Sequence, residues 1–196
     1  RMENFTFKNI VFEVLNKEVR DLLFNLTGEN QVLFKDKVNF KPPNGEGFFA
    51  HYDGVFQFMT SDGETKNGWY EYGNEFNNVL ITLDDFTDQN GPLEVAKNHI
   101  GNFDELLRKT TCDGSPNLKT EVEAKCNFIP LICRAGSIII FKHTCPHRSS
   151  ANHSQKERGS LYLTYTPSEN EKIYKQYYID KSGSKNKDKS LTGSLK

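Results

Sequence analysis

The sequence predicts a mainly β fold, a double-stranded β-helix (jelly roll, cupin-like) with helices packed on its outside. Three observations point there. Many short runs carry the period-two alternation or the β-branched and aromatic content of strands. An amphipathic helix precedes them, and no regular strand–helix alternation follows that would build a parallel sheet. At 196 residues the chain has the size of one domain, and a chain of that size buries roughly 70% of its unfolded surface, enough for a core without staples.

Residues 12–27 place Val14, Leu15, Val19, Leu22, Leu23 and Leu26 at helical spacing, closed by Gly28. Residues 31–41 alternate: Val32, Phe34, Val38 and Phe40 form an apolar face against Lys35, Lys37, Asn39 and Lys41, with Asp36 as the one break. The lysine-rich face is expected to be the wet one. Pro42-Pro43-Asn44-Gly45 ends this strand, and residues 47–53 resume as the next. Residues 62–74 are polar but carry Trp69, Tyr70 and Tyr72, aromatics that either cover a site or pack on their own scaffold. A strand over 78–84, the turn Asn90-Gly91, a strand over 92–96 and a short helix over 103–108 follow. Strands return over 128–133, 137–141, 143–149 and 159–165. From Ser182 onward almost nothing can be buried, so residues 1–181 are expected to form the domain and 182–196 a disordered tail.

Charges nearly cancel, 25 Lys+Arg against 26 Asp+Glu, and no basic block precedes the tail, so no nucleic-acid surface is indicated. No run approaches about 18 apolar residues, and no charged-then-apolar leader opens the chain, so no membrane partner and a cytoplasmic location are expected. Cys112, Cys126, Cys133 and Cys145 lack the close pairing of a zinc knuckle and are expected to be reduced.

His51-Tyr52-Asp53 opens the chemical argument. Residues two apart in a strand point the same way, so an imidazole and a carboxylate can grip one ion. Alone the pair is weak, since the composition yields about 0.7 such pairs by chance, and a buried His–Asp hydrogen bond in an ordinary core looks the same. A second histidine-bearing strand lies downstream, however. Two histidines and one carboxylate on one side of a metal make the facial triad of non-haem Fe(II) oxygenases, which leaves the opposite positions open. His99 heads toward a helix and His153 lies in a polar turn, and strand parity leaves His143 and His147 equivalent. The residues after His147 favour it. The Ser149 hydroxyl faces the same way as its imidazole, and Arg158 opens the next strand, which as an antiparallel neighbour would return a guanidinium beside Ser149. Such a fork suits the distal carboxylate of a dicarboxylate chelator.

Here the sequence resembles the phytanoyl-CoA dioxygenase family of Fe(II)/2-oxoglutarate-dependent oxygenases, over residues 32–180. The likeness rests on VLFKDKVNFKPPNGEGFFAHYD, NNVLITLDDFTDQNGPLEV, GSIIIFKHTCPHRSSANHSQKERGSLYLTY and the ending YYIDK. It is nearest the bacterial, 2-aminoethylphosphonate dioxygenase-like branch. The resemblance implies that His51, Asp53 and His147 bind iron, that Arg158 and Ser149 hold the distal carboxylate of 2-oxoglutarate, and that Lys37 and Asn78 or Leu80 line the co-substrate pocket. It implies O2-dependent hydroxylation of a C–H bond in a small polar substrate, a phosphonate or other small zwitterion, with release of succinate and CO2. Tyr52 departs from the glutamine common at that position, and the segment ahead of residue 32 is shorter than in most members. The alternative is a cupin-like metal-binding or sensor protein without turnover.

Overall fold

The computed structural model describes residues 2–3, 10–98, 115–168 and 172–182. Strands β1 (Met2–Glu3), β2 (Gln31–Lys41), β6 (Asn77–Thr82), β9 (Ile138–Lys142) and β11 (Arg158–Pro167) form a five-stranded sheet in the order β1-β2-β11-β6-β9. Strands β3 (Phe48–His51), β7 (Leu93–Ala96), β8 (Phe128–Pro130) and β10 (His147–Ser149) form a four-stranded sheet in the order β3-β10-β7-β8. All pairings are antiparallel. A small β4–β5 hairpin (Phe58–Met59 and Thr65–Lys66) and a 3-10 turn (Gly68–Glu71) lie between β3 and β6. This is the expected double-stranded β-helix, and the helices do pack outside it.

Helix α1 (Ile10–Thr27) turns its apolar stripe onto the larger sheet: Val19 and Leu23, four apart, pack with Val38, Val79, Leu161, Leu163 and Tyr165. Gly28 ends it at φ 76°, donating its N–H to the Phe24 carbonyl at 2.8 Å, a left-handed cap that a Cβ would disfavour. Helix α3 (Ile173–Ser182), which no sequence pattern singled out, packs Ile173 and Tyr177 against Val32 and Phe34 in a second cluster with Trp69 and Phe76. Asp36, the break in the alternation of β2, falls on this helix-covered face. Its carboxylate accepts from the Tyr174 hydroxyl at 2.7 Å, so a buried charge has a partner there.

Three expectations need correction. The lysine face of β2 is not the wet one: Lys35 and Lys41 are 7% and 5% exposed while apolar Phe40 is 42% exposed. β2 is an interior strand whose apolar face is covered by helices, so its polar face lines the barrel. The strand over 143–149 begins only at His147. Residues 143–146 form a turn in which the Cys145 N–H donates to the Lys142 carbonyl at 2.9 Å, and strand parity therefore does not relate His143 to His147. Finally, β11 is not the neighbour of β10. It pairs with β2 and β6, so Arg158 faces Ser149 from the opposite sheet. The connection between β10 and β11 crosses the barrel and is fastened by Asn152, whose amide donates to the carbonyls of Lys41 and Lys156 at 2.9 and 2.8 Å.

A short helix, α2 (Thr120–Glu123), follows Pro116. The helix expected over 103–108, His99, Cys112 and the expected tail fall outside the described residues, apart from Ser182 at the end of α3. Cys126, Cys133 and Cys145 are free thiols. Among the described residues no helix is long and apolar enough to cross a membrane.

Candidate metal centre and anion pocket

β3 and β10 are paired so that His51 stands directly opposite His147. Each imidazole uses Nδ1 on a backbone carbonyl two residues earlier, His51 on Phe49 at 2.7 Å and His147 on Cys145 at 3.1 Å. That hydrogen bond fixes the tautomer with the proton on Nδ1 and leaves each Nε2 lone pair facing the centre. Just past the end of β3, Asp53 turns its carboxylate between them, with Oδ2 3.4 Å from His147 Nε2 and Oδ1 4.0 Å from His51 Nε2. The three ligand atoms lie within 4.8 Å of one another. His143 is elsewhere: its Nδ1 lies 3.2 Å from the backbone of Phe76, and its carbonyl accepts the Asp53 N–H at 3.2 Å.

The protonation states suit a metal. Burial, then the neighbouring His147, pushes His51 down to about 3, so its ring is neutral at pH 7. Burial alone would raise Asp53, but His147, His51, Lys37 and Lys35 outweigh it and hold the carboxyl at about 2. A neutral His51 imidazole and an ionised Asp53 carboxylate are the forms a divalent cation needs. Asn78 braces the carboxylate, donating from Nδ2 to Asp53 Oδ2 at 2.8 Å, and its own Oδ1 accepts from Thr164 Oγ1 at 2.9 Å.

The pocket over this centre is lined by residues of both sheets, Lys35, Lys37, Ser149 and Tyr162 among them, and by Trp69 of the 3-10 turn. Lys37 Nζ lies 4.5 Å from the centroid of the Tyr162 ring, its cross-strand partner on β11. Arg158 is buried behind Ser149 and held by backbone: Nη2 donates to Gly91 O at 2.7 Å and Nε to Asn90 O at 3.4 Å, with Nη1 3.3 Å from Ser160 Oγ. Its planar group stacks 4.4 Å from the Phe86 ring centroid. Lys41, directly across the ladder from Arg158, donates to Ser149 Oγ at 2.9 Å, to Ser150 O at 2.5 Å and to Gly91 O at 3.3 Å. Burial and the adjacent guanidinium lower Lys41 to about 7, and burial lowers Arg158 too. A guanidinium and an amine that gives up its proton near pH 7 thus sit side by side in the interior, satisfied by neutral oxygens. Because Lys41 donates to Ser149, that hydroxyl keeps its own proton for an acceptor in the pocket.

The predicted residues His51, Asp53, His147, Ser149 and Lys37 converge on this pocket, and Arg158 lies directly behind it. Asn78 does not face the open pocket; its amide is occupied by Asp53 and Thr164. Leu80 is buried among Phe86, Leu93 and Phe141. Lys41 shares its parity with Lys37 and on the sequence could, with it and Lys35, serve a phosphonate or carboxylate, but it was not singled out because a lysine on an alternating strand ordinarily faces water. Of the aromatic loop, Trp69 lines the pocket, while Tyr72 donates to Asp180 on α3 at 2.6 Å and Tyr70 packs beside Tyr52 and Val55.

A family model described as phytanoyl-CoA dioxygenase (PhyH) matches residues 2–160. The chain belongs to the phytanoyl-CoA dioxygenase family. It is 30% identical over 185 residues to a 2-aminoethylphosphonate dioxygenase from an uncultured bacterium, HF130_AEPn_1, covering 92% of this chain and 64% of that protein. It is 28% identical over 168 residues to a methylphosphonate hydroxylase of Gimesia maris, covering 84% of this chain and 56% of that protein. The chain therefore spans less than two thirds of either relative. The crystal structure of EctD from S. alaskensis with 2-oxoglutarate and 5-hydroxyectoine superposes with a TM-score of 0.61 at 17% identity, over 84% of this chain and 55% of that one. The same protein has also been solved with bound Fe, at a TM-score of 0.60.

Proposed function

We propose that this PhyH-family chain is an Fe(II)- and 2-oxoglutarate-dependent dioxygenase that hydroxylates a C–H bond of a small polar substrate, a phosphonate or similar small zwitterion. The observation that carries the reading is the convergence of His51, Asp53 and His147 within 4.8 Å, beside the buried cations Arg158 and Lys41. The donor set fits iron. Two neutral nitrogens and one carboxylate oxygen on one side suit Fe(II) and leave positions for a chelating keto acid and O2. When bound, the iron would supply the oxidising chemistry with O2 as oxidant and 2-oxoglutarate as the co-substrate oxidised to succinate and CO2.

The chain's own residues bind and orient. His51, Asp53 and His147 hold the metal, and Asn78 keeps the Asp53 carboxylate turned. Arg158 and Ser149 take the distal carboxylate of 2-oxoglutarate, with Lys41 adding charge behind Ser149. Lys37, whose positive field falls on both His51 and Asp53, faces the middle of the pocket, where a chelating carboxylate would need a counter-charge. No side chain need move a proton in the main step. The substrate class follows the phosphonate-oxidising relatives and the cationic wall of β2.

The test joins binding to turnover. Succinate should form from 2-oxoglutarate in the presence of Fe(II), O2 and 2-aminoethylphosphonate or methylphosphonate. His147→Ala should lose both Fe(II) retention and succinate formation, whereas His143→Ala should keep its metal. Full iron binding in His147→Ala would sink the assignment of the centre. Metal and 2-oxoglutarate binding without succinate, across a panel of phosphonates, betaines and amino acids, would favour a sensor without turnover.

A further inference from the structure

Resting on the dioxygenase reading, we propose that the substrate is recognised through a tetrahedral oxyanion gripped by the Trp69 indole N–H and the Lys35 ammonium. The first observation is an orphaned donor. Trp69 is 3% exposed and its Nε1 is buried without a hydrogen-bond partner among the described residues, yet the side chain lines the pocket over the metal centre. A buried indole N–H ordinarily finds an acceptor, and one left over beside a cavity marks where a ligand oxygen belongs.

The indole cannot turn away to find water. Its ring packs against Phe34 at 5.5 Å and Phe76 at 5.2 Å between centroids, and its backbone N–H is tied to Gly54 O at 3.0 Å. A Cβ at Gly54 would strike the ring at 2.8 Å, so the strand end and the indole are in direct contact.

The second observation is charge at the same place. Lys35, 7% exposed, holds Nζ 5.7 Å from the Trp69 ring centroid and lines the same pocket. It shares the inward face of β2 with Lys37 and Lys41, six residues along, which is about 20 Å of strand. Lys41 and Arg158 therefore lie behind Ser149 at one end of the pocket and Lys35 with Trp69 line the other, with the metal ligands facing Lys37 between them. Two anionic ligands can then lie end to end without sharing a receptor. A tetrahedral oxyanion gives each donor its own oxygen and brings the negative charge an ammonium calls for, which a neutral hydroxyl or an amine lacks, and a reactive carbon next to phosphorus would be turned back toward the metal.

The 196-residue chain, loaded with Mn(II) and 2-oxoglutarate, is titrated with methylphosphonate by calorimetry. The emission of Trp69, the single tryptophan of the chain, is followed in parallel. Saturable binding with a change in that emission is expected. Trp69→Phe, which keeps a ring but deletes the N–H, and Lys35→Met should each weaken methylphosphonate about tenfold or more. Both should keep their affinity for Mn(II) and 2-oxoglutarate, which also checks that they fold; where Trp69→Phe fails that check, Lys35→Met decides. Undiminished methylphosphonate affinity in the folded variants overturns the receptor. So does a parent chain that takes Mn(II) and 2-oxoglutarate but no phosphonate, while a parent that takes neither overturns the dioxygenase reading and this inference with it.

Discussion

Asp53 can meet a metal through either oxygen or both, and Asn78 bears on which. Its amide occupies Oδ2, and because Thr164 fills the amide's own oxygen, the NH2 end cannot flip away from the carboxylate. Removing such a brace costs metal affinity typically about 10–100-fold. Asn78→Ala should therefore weaken Mn(II) binding by that order, and Thr164→Val by less, both measurable by paramagnetic resonance without turnover. Unchanged Mn(II) affinity in Asn78→Ala would return Asn78 to the co-substrate role that the family resemblance implied. At the pocket's other end, Lys41 makes a pH prediction. Its folded pKa of about 7 lies below the ordinary 10.5, so between those values the unfolded chain binds more protons than the folded one. Stability conferred by the neutral amine is thus absent below about 7 and gained as pH rises toward 10.5. Denaturation of metal-free protein at pH 7 and pH 9 should show this slope in the parent and a shallower one in Lys41→Met. Saturating 2-oxoglutarate should flatten the parent's slope, because a bound carboxylate restores the reason to hold the proton. Arg158→Ala, by contrast, should cost about 2–5 kcal/mol of 2-oxoglutarate binding with little effect on metal.

Between β3 and β6 the chain makes one close backbone crossing, and it sets the wall that carries Trp69. Gly68 has φ 57°, and a Cβ there would lie 2.0 Å from the Gly54 carbonyl oxygen. Gly68→Ala should therefore lose roughly 3 kcal/mol or more, combining a left-handed backbone with a clash, or roughly 6–12 °C in Tm. Gly63→Ala is the control, since its φ of 91° is also positive but nothing lies within 4 Å, so it should lose less. At this scale sequence and structure can be compared element by element. α1 and β2 were legible because helical spacing and strict alternation are local signals; β2 was found with the same bounds, 31–41. Which face of β2 is wet was not legible, since alternation gives two faces but not which one a helix will cover. His51 and Asp53 could be paired from spacing alone, whereas His147 and Arg158 needed their flanking residues. Arg158 was expected beside Ser149 through a strand pairing that does not form and lies behind the pocket on the opposite sheet, because sequence distance does not say that a loop crosses between sheets. α3 went unseen: its helical spacing is weak, with only Ile173 and Tyr177 buried.

Across the whole molecule the two sheets divide the work. The four-stranded sheet and the strand end beyond it carry His51, Asp53 and His147, while the five-stranded sheet carries Lys35, Lys37, Lys41 and Arg158. One sheet presents ligands for a cation and the other presents cations for anions, which is why changes to Lys35, Lys37, Lys41 or Arg158 should alter anion binding while sparing the metal. The division also bears on the product. Asp53 belongs to the half that carries the proposed ligands and is held there by Asn78, so with iron bound it would fill the coordination position that a halide would need. The pocket's positive charges face carboxylate and oxyanion groups from the opposite sheet and offer no substitute for that ligand. Hydroxylation is therefore the expected outcome even in excess chloride. With ¹⁸O2, one labelled oxygen should appear in the hydroxylated substrate or its breakdown product, and one equivalent of succinate should form with it. Asp53→Gly should lose iron rather than gain halogenation, because two imidazoles alone leave a poorly chelated ion. A chlorinated product from the unaltered chain would overturn the role given to Asp53 and, with it, the hydroxylase reading.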